Sequence, residues 1–199
     1  MENRYCYKYP RPAVTADTVV FGFDGQEVRI LLIERGGRTF QGYWAFPGGF
    51  MEMEETAEAC ARRELEEETG IVLTELRQVG AFSGVNRDPR GRVVTIVFYA
   101  LVKLHQVWPE AGDDAACTRW FSDEDLPLLA FDHGEILPIA REKLGEDLKK
   151  TRCQRQWLKA GFTERELARV RAWAESRRVE GEKDGENPEA ESSGKGDKL

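Results

Sequence analysis

Three observations predict a mixed α/β domain in which helices cover a β-sheet. Segments rich in Val, Ile, Phe and Thr recur at residues 13–23, 28–34 and 93–103. Two helical regions stand well apart, one strongly acidic before Gly70 and one beyond Gly134. Glycine- and proline-bearing turns separate them, and strands that alternate with helical stretches favour layers of helix on sheet.

The elements follow in order. Residues 1–10 read as an irregular entry. Residues 13–23 form a strand, Asp24-Gly25 turns the chain, and residues 28–34 return as a second strand. Gly36-Gly37 opens a loop to the short extended segment Trp44-Ala45-Phe46-Pro47, and Gly48-Gly49 leads into the acidic helix. That helix has Thr56 as its N-cap and Gly70 just past its C-terminus. Ala57, Cys60, Ala61, Glu64 and Glu68 share one side, small enough to lie close to a sheet, and Glu66 points to solvent. Further strands are expected at residues 71–76, 78–83, 93–103 and 118–121, with a polar turn at 86–91 and a helix start at Ser122-Asp123-Glu124. A helix over 134–150, broken or kinked at Pro138, is followed by one over 164–178, which Thr163 and Glu166 open as a capping box. From about Val179 the composition is that of a disordered tail.

Composition narrows the function. A chain of 199 residues, 41% hydrophobic, supports one domain with an appended region. A net charge of −7 argues against nucleic acid or anionic membrane as a general partner, yet leaves room for a small phosphorylated ligand held by local arginines. Cys6, Cys60, Cys117 and Cys153 are scattered without a CxxC pair, which points away from zinc and disulfides and towards a reduced, cytoplasmic setting. No signal peptide or apolar run of spanning length is present.

The chemistry concentrates in residues 49–71, GFMEMEETAEACARRELEEETGI, which hold eight glutamates. A solvated acidic face is the ordinary meaning of such a run. Here, however, Glu64, Glu67 and Glu68 fall within about a quarter turn of one another on a helix. Their mutual repulsion is relieved by a hard divalent cation. Arg63 is placed to pair with Glu67 or to reach back to Glu55, fixing the carboxylates in their charged form. The glycines permit close backbone approach, so the Gly48 carbonyl can join them as an oxygen ligand. All-oxygen ligation suits Mg²⁺ or Mn²⁺ and points to metal-assisted phosphoryl transfer to water.

Gly49, Glu55, Arg63-Glu64-Leu65, Glu67-Glu68 and Gly70-Ile71 match every fixed position of the Nudix box, G-x5-E-x7-R-E-U-x-E-E-x-G-U, where U is aliphatic. Residues 11–137 resemble a complete Nudix domain, with 138–178 as additional helices and 179–199 as the tail. The resemblance implies a Nudix fold, an α/β/α sandwich with a mixed β-sheet and the Nudix loop-helix-loop. It implies a hydrolase for nucleoside diphosphates linked to another moiety. Glu64, Glu67, Glu68 and the Gly48 carbonyl would be its metal ligands, and Glu55 with Arg63 the supporting ion pair. Glu52 would bind a further metal or position water. The box does not identify the general base; Asp114, with its neighbour Asp113, competes with Glu67 and Glu68 for that role.

Substrate choice lies outside the box. The loop SGVNRDPRGRVV resembles that of ADP-ribose pyrophosphatases, although Pro89 follows Ile71 by 18 residues where about sixteen is usual in that subgroup. Arg87, Asp88 and Arg90 in this loop, with Arg35, are the expected contacts to diphosphate and ribose. Phe46 is the expected stacking partner for adenine, with Trp44 and Phe82 as further candidates. His133 is read as a helix-start or packing residue and His105 as structural or exposed. ADP-ribose hydrolysis to AMP and ribose 5-phosphate leads. Next come dinucleotide polyphosphates, modified nucleoside triphosphates and other nucleotide sugars. A non-catalytic ADP-ribose sensor acting on transcription through a winged-helix domain ranks last, because residues 138–178 offer two helices and no β-wing. A homodimer is expected from the resemblance alone.

Overall fold

The computed structural model describes residues 7–107 and 115–176, and the expected disordered tail lies outside them. The strands are β1 (Ala13–Phe23), β2 (Val28–Arg35), β3 (Trp44–Ala45), β4 (Gly48–Phe50), β5 (Arg77–Phe82), β6 (Val93–Lys103) and β7 (Ala115–Phe121). The helices are α1 (Ala57–Thr69), α2 (His133–Asp147), α3 (Thr151–Lys159) and α4 (Glu164–Glu175). The strands form one mixed sheet ordered β3-β2-β1-β6-β5. β4 pairs with β1, and β7 with β2. β1 and β6 run parallel in register from Ala13↔Val93 to Phe23↔Lys103, and every other pairing is antiparallel.

Alternation along the central strands sorts the core into two layers. Val19, Phe21 and Phe23 of β1 join Val97, Tyr99 and Leu101 of β6 against Ile136, Ala140 and Leu144 of α2 and Val170 of α4. From the intervening positions, Val20 and Val102 meet Leu65 of α1, while Ala16 and Phe98 meet Cys60 and Ala61. Covered on both faces, β1 is buried from Thr15 to Phe23. The result is the expected α/β/α sandwich.

Towards their outer ends β1 and β2 part company. β1 pairs with β2 only over Phe21–Phe23, then takes β4 at Thr15–Asp17, whereas β2 takes β3 at Ile33–Glu34. The segment 44–50 therefore runs between the two strands and brings Gly48-Gly49 up to the start of the acidic helix.

Several boundaries differ from expectation. Residues 71–76 form a connection, not a strand: Ile71 and Leu73 pack under α1 with Val72 exposed, so apolar anchoring of a loop imitates strand alternation. Ser122 starts no helix; its hydroxyl bonds Asp125 in a local turn, and α2 begins only at His133. α2 runs unbroken through Pro138, which lies in its second turn, so the boundary placed at 137/138 falls inside a helix. Helix α3 was not foreseen, because only Cys153 and Trp157 of its nine residues are buried and the apolar signal is thin. The Thr163 capping box is present. Where α2 ends, Tyr99 Oη donates to Asp147 at 2.7 Å beneath the core and Lys150 donates to the same carboxylate at 2.7 Å. Burial alone would raise the Asp147 pKa, but these bonds outweigh it and hold the group below the usual carboxylate range. α2–α4 thus share one core with the sheet and do not form a detached unit.

Candidate active site

The acidic helix is fixed at both ends before any ligand is considered. Thr56 accepts from the Ala59 amide at 3.2 Å, and Gly70 adopts the left-handed conformation at φ 68° that closes it. On its inner side Arg63 is the hub of the box. Its guanidinium donates to both Glu55 oxygens (3.1 and 2.7 Å), to Glu64 (2.7 Å), to Glu67 (3.0 Å) and to the Phe50 carbonyl (3.2 Å). The Arg63 bonds hold Glu55 ionised down to a pKa of about 2, and Glu55 also accepts from the Glu52 amide. The expected Glu55–Arg63 pair is therefore present. Arg63→Gln is expected to lower stability by about 1–3 kcal/mol in denaturant titration, since five acceptor atoms on four residues lose a charged donor. Arg63→Lys should recover only part of this, because an ammonium does not reproduce the fork.

Glu64 and Glu68 flank the glycine pair. A Cβ on Gly49 would lie 2.3–2.5 Å from the Glu64 carboxylate, so glycine is what allows that contact. Glu68 accepts from the Gly48 amide at 2.8 Å. Burial, reinforced by the charges of Glu64 and Asp17, still pushes its pKa up to about 8. Burial likewise raises that of Glu64. Glu67 leans outwards, its side chain 59% exposed. The three glutamates expected to converge thus stand along one wall. Among the described residues no three His, Cys, Asp or Glu side chains are gathered as a ready-made metal site, since Glu64 faces Arg63 and Glu68 faces Gly48. The donor set nonetheless fits a hard divalent cation: it is all oxygen, and Glu68 accepts only from the Gly48 amide, with no ion pair to a cationic side chain among the described residues.

The opposite wall carries the arginines. A cavity of about 60 Å³ beside Gly48-Gly49 is lined by Arg35, Arg87, Asp88 and Arg90, with Asp17 and His133. Arg87, only 4% exposed, makes a two-pronged pair with Asp132 at 2.9 and 2.7 Å. Arg90 pairs with buried Asp88 and lies 5.0 and 5.2 Å from the Phe50 and Phe131 ring centres. Arg35 donates to the Thr39 carbonyl and lies over Phe131. The sequence-expected arginines are thereby brought together next to the box. Larger hollows of about 760, 630, 440 and 290 Å³ lie elsewhere; none is lined by Glu64, Glu67 or Glu68, and Glu52 lines the first, beside residues 7–14.

Phe46 departs from its expected role. Phe46 is 1% exposed and its ring stacks on His133 at 4.6 Å, so it packs in the core at the edge of the cavity and is not an open stacking surface. Trp44 packs edge-on against Phe121. His133 takes the helix-start and packing role expected of it, and His105 is exposed. Asp113 and Asp114 lie outside the described residues. Sequence reasoning missed Asp17 and Asp132. Asp17 had a visible signal, being the one charged residue in an eleven-residue strand. Burial raises its pKa to about 6. Asp132 had none, since its partner Arg87 lies 45 residues earlier.

A mixed sheet between helical layers, with carboxylates of a capped acidic helix facing clustered arginines across a glycine pair, defines an α/β/α domain built to hold a phosphorylated ligand. The NUDIX domain family model matches residues 11–140, and the chain belongs to the Nudix family. It is 41% identical over 129 residues to the ADP-ribose pyrophosphatase of Methanocaldococcus jannaschii, covering 65% of this chain and 73% of that protein. It is 34% identical over 166 residues to the ADPR responsive transcriptional repressor NtrR of Acinetobacter baylyi, covering 81% of this chain and 66% of the repressor. Among solved structures, the NUDIX domain of Shewanella oneidensis NrtR complexed with ADP ribose superposes with a TM-score of 0.66 at 29% identity, over 71% of this chain and 94% of that one. Among the described residues no helix is long and apolar enough to cross a membrane.

Proposed function

We propose that this protein is a Nudix pyrophosphohydrolase that hydrolyses ADP-ribose, with water, to AMP and ribose 5-phosphate. The observation that carries the reading is that one glycine pair serves both groups: Gly48 donates to Glu68 and Gly49 abuts Glu64, while the same two glycines line the cavity that holds Arg35, Arg87 and Arg90. Likeness to an ADP-ribose pyrophosphatase supports the choice of substrate. Glu64, Glu67, Glu68 and the Gly48 carbonyl would hold Mg²⁺ or Mn²⁺, which supplies charge neutralisation for the diphosphate and a more acidic water. The arginines orient the diphosphate and offset its charge. Arg63 keeps Glu64 and Glu67 in position. The attacking water's proton passes to a carboxylate at the site, with Glu67, Glu68 and Asp114 as the competing acceptors. The nucleotide is the partner; neither nucleic acid nor membrane is required.

A second reading, an ADP-ribose sensor, is favoured by one observation: the likeness to the repressor extends over 81% of the chain, and so into the helices beyond the matched domain. Those helices number three among the described residues, where two were expected, and no strand follows β7 there to form a β-wing. A steady-state panel of ADP-ribose, diadenosine polyphosphates, NADH and nucleoside triphosphates with Mg²⁺ decides between these readings. ADP-ribose is expected to give the highest kcat/KM. Binding of ADP-ribose without turnover, together with a promoter-DNA gel shift, would establish the sensor instead.

A further inference from the structure

One carboxylate in the cavity is explained by neither the fold nor the box. Asp17 lies mid-strand in β1, is 7% exposed, and has a partner for only one of its oxygens. Oδ2 accepts the Thr95 hydroxyl from β6. Oδ1 stands against Gly48, where a Cβ on that glycine would come within 2.4 Å of it, and accepts no hydrogen bond from any described residue. No cation pairs with it directly either. Arg87 is engaged by Asp132, Arg90 by Asp88, and Arg35 reaches the Thr39 carbonyl. The Thr95 bond accounts for half of the group only, and because Asp17 lines the cavity its second oxygen is available to a donor on a ligand.

We propose that Asp17 is a specificity-determining residue: its Oδ1 accepts a hydroxyl of the sugar carried on the diphosphate, and its charge turns away substrates that place a further phosphate there. This rests on the reading of the cavity as an ADP-ribose site. An ionised carboxylate can only accept, so it suits a sugar hydroxyl, which donates a charge-assisted bond. A third phosphate has no proton to offer at pH 8 and meets like charge in a poorly solvated site. The same chemistry places an acidic residue on a ribose hydroxyl in dinucleotide-binding folds.

The test is Asp17→Asn, which can keep the Thr95 bond while losing the charge. Both kcat/KM and calorimetric Kd are measured at pH 8 for ADP-ribose, for ATP, and for an ADP-ribose analogue lacking the terminal-ribose hydroxyls. The preference for ADP-ribose over ATP is expected to fall about 10- to 100-fold, as for loss of a bond to a charged group. The analogue should lose about as much with the unaltered protein and little further with the variant. An equal loss for ADP-ribose and ATP would place Asp17 in machinery common to both and overturn the proposal. Should the variant fail to fold, the unaltered protein decides alone, because equal handling of ADP-ribose and its analogue removes the hydroxyl contact. If ADP-ribose is neither bound nor turned over, the underlying reading falls as well. If it is turned over with unchanged preference in the variant, only the Asp17 assignment falls.

Discussion

Glu68→Gln is expected to lower kcat for ADP-ribose by about 10³-fold or more while leaving the protein folded, which circular dichroism and thermal melting would verify. The size follows from losing a carboxylate at the site where charge develops, a class of change worth several kcal/mol in the transition state. Retention of the fold follows from geometry. A glutamine oxygen can still accept from the Gly48 amide, and the neutral side chain no longer carries charge into a buried site. Glu68 also makes the direction of the pH effect definite. Its folded pKa stands near 8 against an ordinary 4.5, so between those values the folded state retains a proton that the unfolded state releases. Its contribution to metal-free stability is complete below about pH 4.5 and is lost as pH rises through 8. Binding of Mg²⁺ at pH 7 should therefore eject about one proton, measurable by calorimetry in buffers of different ionisation enthalpy. The glutamine variant should eject almost none. An equal proton count in the two proteins would remove Glu68 from the metal set.

Gly48→Ala should be the most damaging single-methyl change in the domain. The added carbon would come within 2.4 Å of the Ala16 carbonyl oxygen and of Asp17 Oδ1, and 2.7 Å of the Asp17 Cα. Two of these neighbours are backbone, so the β1–β4 pairing itself must open. Overpacking of this kind costs about 1–3 kcal/mol, a fall of roughly 3–10 °C in Tm for a chain of this length. Activity should fall further than stability, because the Gly48 amide that holds Glu68 moves with the strand. Gly37→Ala is the matched control: nothing lies within 4 Å of its added carbon. If both variants melt together, the close approach of β4 to β1 is not what demands glycine.

These two residues also show how far the chain can be read without coordinates. The box glutamates, Arg63 and both helix ends are local features, set by spacings of a few residues that helical periodicity makes explicit. The central strands were equally plain, since their β-branched and aromatic runs admit one reading. What stayed hidden depends on distant partners. Arg87 is an expected phosphate contact, but Asp132, which orients it, lies beyond two strands, β6 and β7. Phe46 was taken for a stacking surface because an aromatic beside a glycine pair looks available; only the fold places His133 over its ring. Residues 71–76 show the converse, an apolar alternation produced by a loop pinned under a helix. The break or kink expected at Pro138 is absent: proline is a strong local breaker, yet α2, packed against the sheet, continues through it.

His133 carries a consequence of another kind. A histidine beside a nucleotide pocket invites description as a proton switch, since its ordinary titration falls within the physiological range. Here burial, with Arg87 and Arg35 nearby, drives its pKa down to about 3. Nδ1 accepts the Phe46 amide at 3.0 Å, which assigns the ring proton to Nε2. The imidazole is therefore a permanent acceptor at every pH a cell experiences. It rivets the first turn of α2 to the peptide two residues before Gly48, so the floor of the pocket and the helical layer behind it move as a single piece.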